Sequence, residues 1–105
     1  MNAKPGEVWL ADLGLAAKTR PVVILSRHDP EAPRALVIYV PLTTQNRGSS
    51  YEVILGDQAF LKEQTVANVQ GIGSVPTARL ERKIGALSPD LFAEIKKALR
   101  FAVEL

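Results

Sequence analysis

The sequence has no cysteine, a single histidine and no apolar run that approaches the length of a membrane-spanning helix. Without cysteine, neither disulfides nor thiolate metal sites are available, a composition compatible with a reducing cytosol. With a single histidine, the sequence offers no choice among possible Ser-His-Asp catalytic sets. It also contains neither a P-loop nor a complete dinucleotide-binding fingerprint. The N-terminal residues lack the apolar stretch of a signal peptide. We therefore expect a soluble, cytoplasmic protein without a metal or nucleotide cofactor.

What the sequence does contain is enough apolar material for one packed domain, residues 1–105. Hydrophobic residues make up 47% and charged residues 23%, which favours a globular core over disorder. The formal net charge is only +2, so its distribution is more informative than its size. Residues 13–28 contain three bases and no acid, whereas residues 52–105 contain seven of each. The positive field is therefore predicted to lie on the N-terminal half.

Short runs rich in Val and Ile, separated by Gly, Pro and polar residues, predict a set of short strands. The predicted strands are residues 7–13, 21–27, 34–42 and 51–55. Residues 64–70 and 81–87 are candidates for two more, separated by the glycine-rich stretch 71–76, and residues 56–64 are ambiguous. The run at 34–42 is apolar on both faces, so we expect it in the middle of the sheet.

One helix is predicted at the C-terminal end, from a Ser88 cap with Pro89 in the first turn to about Glu104. Apolar residues recur in it at helical spacing, and this stripe is expected to pack on the sheet. Short strands with one closing helix indicate a mainly β (α+β) fold. The expected architecture is a small, strongly bent antiparallel sheet or open SH3-like barrel with a C-terminal α-helix.

Two polar loops are predicted beside these strands. The first is cationic, residues 18–21, and ends at Pro21; the second, residues 43–48, begins with two threonines. A guanidinium and hydroxyls held on a stiff sheet can bind one phosphate through several donors at once. These loops are therefore the first candidates for a functional site.

Four segments resemble the MazF/PemK toxins of toxin-antitoxin systems. They are Gly-Glu-Val-Trp-Leu at 6–10, Arg-Pro-Val-Val-Ile-Leu-Ser at 20–26, Val-Pro-Leu-Thr-Thr-Gln at 40–45 and Gly-Ala-Leu-Ser-Pro at 85–89. They occur in the family's order across nearly the whole chain. The resemblance implies an SH3-like barrel with added helices, a homodimer, and a metal-independent ribonuclease that cleaves single-stranded RNA. It also implies a small, acidic, partly disordered antitoxin as a partner.

The resemblance also assigns roles to residues of this chain. The family's catalytic arginine falls on Arg20 and its catalytic threonine on Thr43. The remaining expected RNA contacts are Lys18, Thr19, Thr44, Gln45, Asn46, Arg47, Asn68 and Gln70. Two acidic positions of the family are missing. Many members carry an acid just before the Arg-Pro, where this first loop has none, and some carry one beside the glutamine that corresponds to Gln70, where this chain has Asn68 and Val69. The identity of the general base is therefore open.

The chemistry of metal-independent RNA cleavage fits these side chains. The ribose 2′-hydroxyl attacks the adjacent phosphorus and leaves a 2′,3′-cyclic phosphate and a 5′-hydroxyl. Negative charge grows on the phosphoryl oxygens in this step, so fixed positive charge and hydrogen-bond donors stabilise it. Arg20 supplies a permanent planar cation and Thr43 a hydroxyl donor. DNA lacks the nucleophile and is not expected to be cleaved.

Two alternatives stay open from the sequence. The first is a non-enzymatic DNA gyrase inhibitor like the CcdB toxins, which share the fold but act through a C-terminal Trp-Gly-Ile, whereas this chain ends Ala-Val-Glu-Leu. The second is a degenerate barrel that binds RNA without cutting it. The RNA motif that is cut does not follow from these residues, because base selectivity depends on loop shape.

Overall fold

The computed structural model of the protein describes residues 2–14 and 19–105. In these ranges it contains seven strands, two 3-10 turns and one α-helix. The strands are β1 (Glu7–Asp12), β2 (Thr19–Ile24), β3 (Leu36–Thr43), β4 (Glu52–Ile54), β5 (Val66–Asn68), β6 (Gly73–Pro76) and β7 (Leu80–Ala86), and the helix is α1 (Pro89–Val103). No helix among the described residues is long and apolar enough to cross a bilayer.

All strand pairs are antiparallel, and the sheet runs in the order β4-β5-β3-β2-β1-β7, with β6 also paired to β3. The predicted class, mainly β with a C-terminal helix, is confirmed. Among the described residues the sheet does not close on itself, because β4 and β7 remain its two edges. The central position predicted for the third strand is also confirmed, since β3 pairs with three other strands.

The partner strand on one side of β3 is broken opposite Pro41. β5 pairs with Leu42 and Thr43, and β6 pairs with residues 36–39. The 3-10 turn Val69–Gly71 lies between these two strands. Proline has no N–H to donate to a ladder, so an interruption there leaves no donor missing. Gly71 lies against the Pro41 ring, where an added Cβ would be 2.7 Å from Cγ.

Strand β6 was absent from the sequence prediction. Residues 71–76 contain two glycines, a serine and a proline, which are typical of turns. In the structure residues 73–76 pair in register with residues 36–39 of β3. Tertiary pairing with a central strand therefore overrides the local turn preference.

The helix packs against one face of the sheet. Its N-terminus is capped as predicted, with Ser88 Oγ accepting a hydrogen bond from Leu91 N at 3.2 Å. Ile95 and Ala98 are buried in the larger of two apolar clusters, together with Val8, Val23 and other strand residues. The smaller cluster includes Val22 and Ile24 on β2. Alternate residues of β2 thus face two cores, and this fixes the strand's orientation.

Candidate active site

Both candidate catalytic residues lie in paired strands rather than in the loops where the sequence placed them. β2 begins at Thr19, so Arg20 is its second residue, and β3 extends to Thr43. Strand pairing therefore fixes the backbone of each residue, so neither side chain is carried by a free loop. Rigid strands fix side-chain positions more closely than loops do.

The pairing of β2 with β3 brings the two residues to one face. Val22 pairs with Pro41 and Ile24 with Tyr39. The β2–β3 ladder ends at the Val22–Pro41 pair, and Arg20 and Thr43 each lie two residues beyond it. Because side chains alternate along a strand, both project from the same face as Val22 and Pro41. The guanidinium and the hydroxyl are thus on the same side of the sheet, at the end of the two strands.

The two side chains line one surface groove of about 630 Å³, which we call the Arg20 groove. Thr44 and Gln45, also predicted from the sequence, line it as well. Its apolar lining comes from Leu13, Pro21, Pro41, Leu42 and Leu61. Such a surface can pack against an unstacked base or a ribose while the polar groups bind phosphate.

The Thr43 hydroxyl is oriented by the main chain. Its Oγ1 accepts a hydrogen bond from Gln45 N at 3.1 Å. Because the oxygen already accepts this bond, its own proton is left to donate to a ligand. The arrangement makes Thr43 a hydrogen-bond donor at the mouth of the groove.

Arg20 is exposed to solvent. Across residues 2–14 and 19–105, one ion pair is present, between Lys83 Nζ and Glu7 Oε2 at 3.1 Å, and it does not involve Arg20. A guanidinium remains protonated at any physiological pH and presents several donors in one plane. Arg20 can therefore offer a permanent charge and paired hydrogen bonds to a phosphate in the groove.

The loop after Thr43 is organised by one carboxylate. Glu52 accepts hydrogen bonds from Ser49 N at 3.0 Å, from Arg47 N at 3.1 Å and from Ser49 Oγ at 2.8 Å. The bonds from the Ser49 and Arg47 backbones and from the Ser49 hydroxyl, with the nearby Arg47 charge, lower the pKa of Glu52 below its ordinary value. The loop that carries Gln45 is thus tied to strand β4 by an ionised side chain.

Of the remaining residues predicted from the resemblance, those that the structure describes do not line the groove. Asn46 Oδ1 accepts a bond from Gly48 N, and Arg47 Nη2 donates to Gln45 Oε1 at 3.4 Å. Asn68 Oδ1 accepts from Gln70 N at 3.1 Å and caps a 3-10 turn. Thr19 opens β2 opposite Asp12. Lys18 lies outside the described residues.

Sequence reasoning missed four residues of the site. Leu61, Lys62, Glu63 and Thr65 all line the groove and belong to the stretch between β4 and β5. Residues 61–63 have neither a strand nor a helix period, and Thr65 lies in the candidate strand 64–70, so nothing in the pattern pointed to a site role. The available signal was indirect: the stretch leads into β5, the strand that pairs with Thr43. Among the described residues, no group of three His, Cys, Asp or Glu side chains is placed to hold a metal ion.

Comparison with known proteins gives consistent results. Residues 4–103 match the family described as PemK-like, MazF-like toxin of type II toxin-antitoxin system. The probable endoribonuclease MazF5 of Mycobacterium tuberculosis is 36% identical over 109 residues, covering 99% of this chain and 97% of that protein.

Two solved structures have the same fold and more than a quarter of their residues in common with this chain. M. tuberculosis toxin MazF-mt6 has a TM-score of 0.82 at 28% identity, covering 94% of this chain and 97% of that one. A mycobacterial endoribonuclease solved with its cognate antitoxin has a TM-score of 0.84 at 26% identity, covering 97% and 95%. The chain belongs to the PemK/MazF family of type II toxin-antitoxin toxins.

Proposed function

We propose that the protein is a toxin that cleaves single-stranded RNA in the cytoplasm by attack of the ribose 2′-hydroxyl, without a metal ion. The observation that carries the proposal is the placement of Arg20 and Thr43 on one face, lining one groove. The relative named probable endoribonuclease MazF5 supports the same activity. The substrate class follows from the chemistry, because only RNA supplies the internal nucleophile.

Arg20 and Thr43 have distinct parts in this reaction. The 2′-oxygen forms a bond to phosphorus while the bond from phosphorus to the 5′-oxygen breaks. Charge accumulates on the non-bridging oxygens, and the Arg20 guanidinium contacts them with fixed positive charge. Thr43 Oγ1, held by Gln45 N, donates its proton in a hydrogen bond to one of these oxygens. Thr44 and Gln45 line the same groove and position the neighbouring nucleotides.

The partners proposed are a second copy of the chain and an acidic antitoxin. The related mycobacterial endoribonuclease was solved with its cognate antitoxin. An extended acidic segment lying over Arg20 and Lys62 would neutralise the groove and exclude RNA. For the homodimer, exposed Leu36 and Ile38 on β3, at 43% and 45%, offer apolar surface.

The test is incubation of the purified protein with a mixed RNA pool in a chelator, followed by sequencing of fragment ends. We expect cleavage with 2′,3′-cyclic phosphate and 5′-hydroxyl ends. An oligonucleotide with a single 2′-deoxy substitution at the cut site should stay intact. Loss of cleavage in the chelator, or cleavage of the deoxy substrate, would refute the mechanism.

The same assay separates the alternatives raised by the sequence. An RNA-binding barrel without chemistry would shift RNA in a gel and leave every strand intact. A gyrase inhibitor would leave RNA intact and block supercoiling by purified gyrase. Neither result is expected.

A further inference from the structure

We propose that Glu63 is the general base of this site, accepting the proton of the ribose 2′-hydroxyl. The inference rests on the proposed ribonuclease function and supplies the group that the two polar loops lack. Among the described residues, the charged side chains lining the Arg20 groove are those of Arg20, Lys62 and Glu63. Glu63 is thus the carboxylate that the described residues bring to the groove, and a carboxylate is a competent proton acceptor near neutral pH.

Strand order places Glu63 on the opposite side of Thr43 from Arg20. β3 lies between β2 and β5, and Thr43 pairs directly with Val66 of β5. Glu63 precedes Val66 by three residues, a span of at most about 10 Å of backbone. Arg20 approaches Thr43 from β2 on the other side. A phosphate bound between them would meet a cation on one side and a proton acceptor on the other.

This separation suits an in-line displacement. The attacking 2′-oxygen and the departing 5′-oxygen lie on opposite sides of phosphorus, so a base must reach one apex without neutralising the cation that binds the equatorial oxygens. In the proposed step the 2′-O–H proton moves to the Glu63 carboxylate as the 2′-oxygen bonds to phosphorus. The bond to the 5′-oxygen breaks, that oxygen takes a proton from water, and the Glu63 carboxyl gives its proton to the hydroxide left behind.

The segment that carries Glu63 is fixed to the body of the protein. The carbonyl of Glu63 accepts a hydrogen bond from the buried Thr65 hydroxyl at 2.9 Å, and Leu55 N donates to Thr65 O at 3.1 Å. Phe60 packs against Gly85, where a Cβ would collide with its ring. The backbone that carries Glu63 is therefore anchored beside the groove.

Asp12 is the competing carboxylate, because it adjoins Leu13 of the groove lining. Its Oδ1 accepts a hydrogen bond from Gly14 N at 2.8 Å, which shapes the turn after β1. The side chain of Asp12 does not itself line the groove. Glu63 does, which favours it as the base.

The experiment compares Glu63→Gln with Glu81→Gln under single-turnover conditions, on an oligoribonucleotide that the wild type cuts. Glu81 is exposed on β7 and not part of the groove, so it controls for the loss of one carboxylate. We expect Glu63→Gln to slow cleavage by about 10²–10⁴-fold, as for loss of general acid-base catalysis. Glu81→Gln should cut at the wild-type rate, and both should melt like the wild type because both positions are exposed.

Two further substrates separate the roles that a carboxylate can have. When sulfur replaces the 5′-bridging oxygen, the leaving group needs no proton. A variant that lacks the general acid then regains its cleavage rate, whereas a variant that lacks the general base still cleaves slowly. Continued slow cleavage by Glu63→Gln supports the proposal, and recovery overturns it. The uncleavable 2′-deoxy analogue should bind Glu63→Gln at least as tightly as the wild type, because a negative charge has been removed. If Glu63→Gln loses affinity for the analogue by as large a factor as it loses cleavage rate, the assignment is overturned.

The proposal and the underlying function fail in different ways. If the wild type leaves RNA intact, the ribonuclease function is refuted. If the wild type cuts RNA and Glu63→Gln cuts equally fast, the function stands and the base assignment is wrong.

Discussion

In the part of the chain that the structure describes, two arginine-lined grooves lie at opposite ends of β2 and β3. The second, of about 340 Å³, is lined by Arg27, Arg34 and Asp29 among others, and we call it the Arg34 groove. Among the described residues, each groove is lined by two Lys or Arg side chains and one carboxylate. Charge alone therefore does not distinguish them, and the difference must come from how the charges are held.

The supports of the two grooves differ. Arg27, Asp29 and Arg34 all belong to the connection between β2 and β3, where Asp29 Oδ1 accepts a bond from Glu31 N. In the Arg20 groove the cation and the hydroxyl stand on paired strands. Catalytic stabilisation requires donors that are already in place when charge develops. The comparison therefore supports the Arg20 groove as the proposed site.

Between the two grooves, the largest expected difference comes from the loss of the strand-held cation. Arg20→Ala should reduce the rate of RNA cleavage by at least about 10²–10³-fold, the range found when one preorganised donor to a developing oxyanion is removed. Arg34→Ala, which makes the same change in the other groove, should leave the rate unchanged. Single-turnover rates on one oligoribonucleotide measure both. Equal losses from the two variants would remove the distinction between the grooves.

The next effect concerns the hydroxyl. Thr43→Val keeps the shape of the side chain and removes the donor, and we expect a loss of about 10–10²-fold, as for one hydrogen bond to a charged group. The matched control is Thr77→Val, because Thr77 lines the Arg34 groove. Thr43→Ser should retain most of the activity. A Thr43→Val protein with full activity would show that the hydroxyl only shapes the turn.

Much of the fold and of the candidate site could be predicted from the sequence. The family resemblance of the Arg-Pro and Thr-Thr-Gln segments pointed to Arg20 and Thr43, whose catalytic roles stay predictions, and the helix was recognised from its Ser88 cap and apolar stripe. These features are local, so a single chain segment contains the whole signal. The loop assignment of both site residues was wrong by one or two positions, because strand ends depend on pairing with a neighbour.

The parts that sequence did not predict depend on long-range pairing. Glu63 reaches the groove because Val66 pairs with Thr43, a contact between residues far apart in the chain. Strand β6 exists because residues 36–39 of β3 offer it a partner. The contribution of Asn68 and Gln70 to RNA binding stays a prediction, since both lie off the groove and Asn68 caps a turn.

The smallest expected effect tests whether the loop beside the Arg20 groove needs its ionised anchor. Glu52→Gln keeps an acceptor but loses the charge that Ser49 and Arg47 bind, so we expect kcat/KM to fall on the order of threefold, as for an exposed charged contact. Asp29→Asn, the matched change in the connection beside the Arg34 groove, should have no effect.

The pH dependence of this effect gives the sharper result, measured as the ratio of the wild-type kcat/KM to that of Glu52→Gln. Since the pKa of Glu52 is lowered in the folded protein, the contribution of its carboxylate is complete above the ordinary carboxyl range and disappears as pH falls through the folded pKa. The ratio of wild-type to Glu52→Gln kcat/KM should therefore be constant near neutral pH and approach one in acid. Because both proteins share every other titrating group, those ionisations cancel in the ratio. A ratio that stayed constant into acid would mean that the charge of Glu52 does not hold the loop.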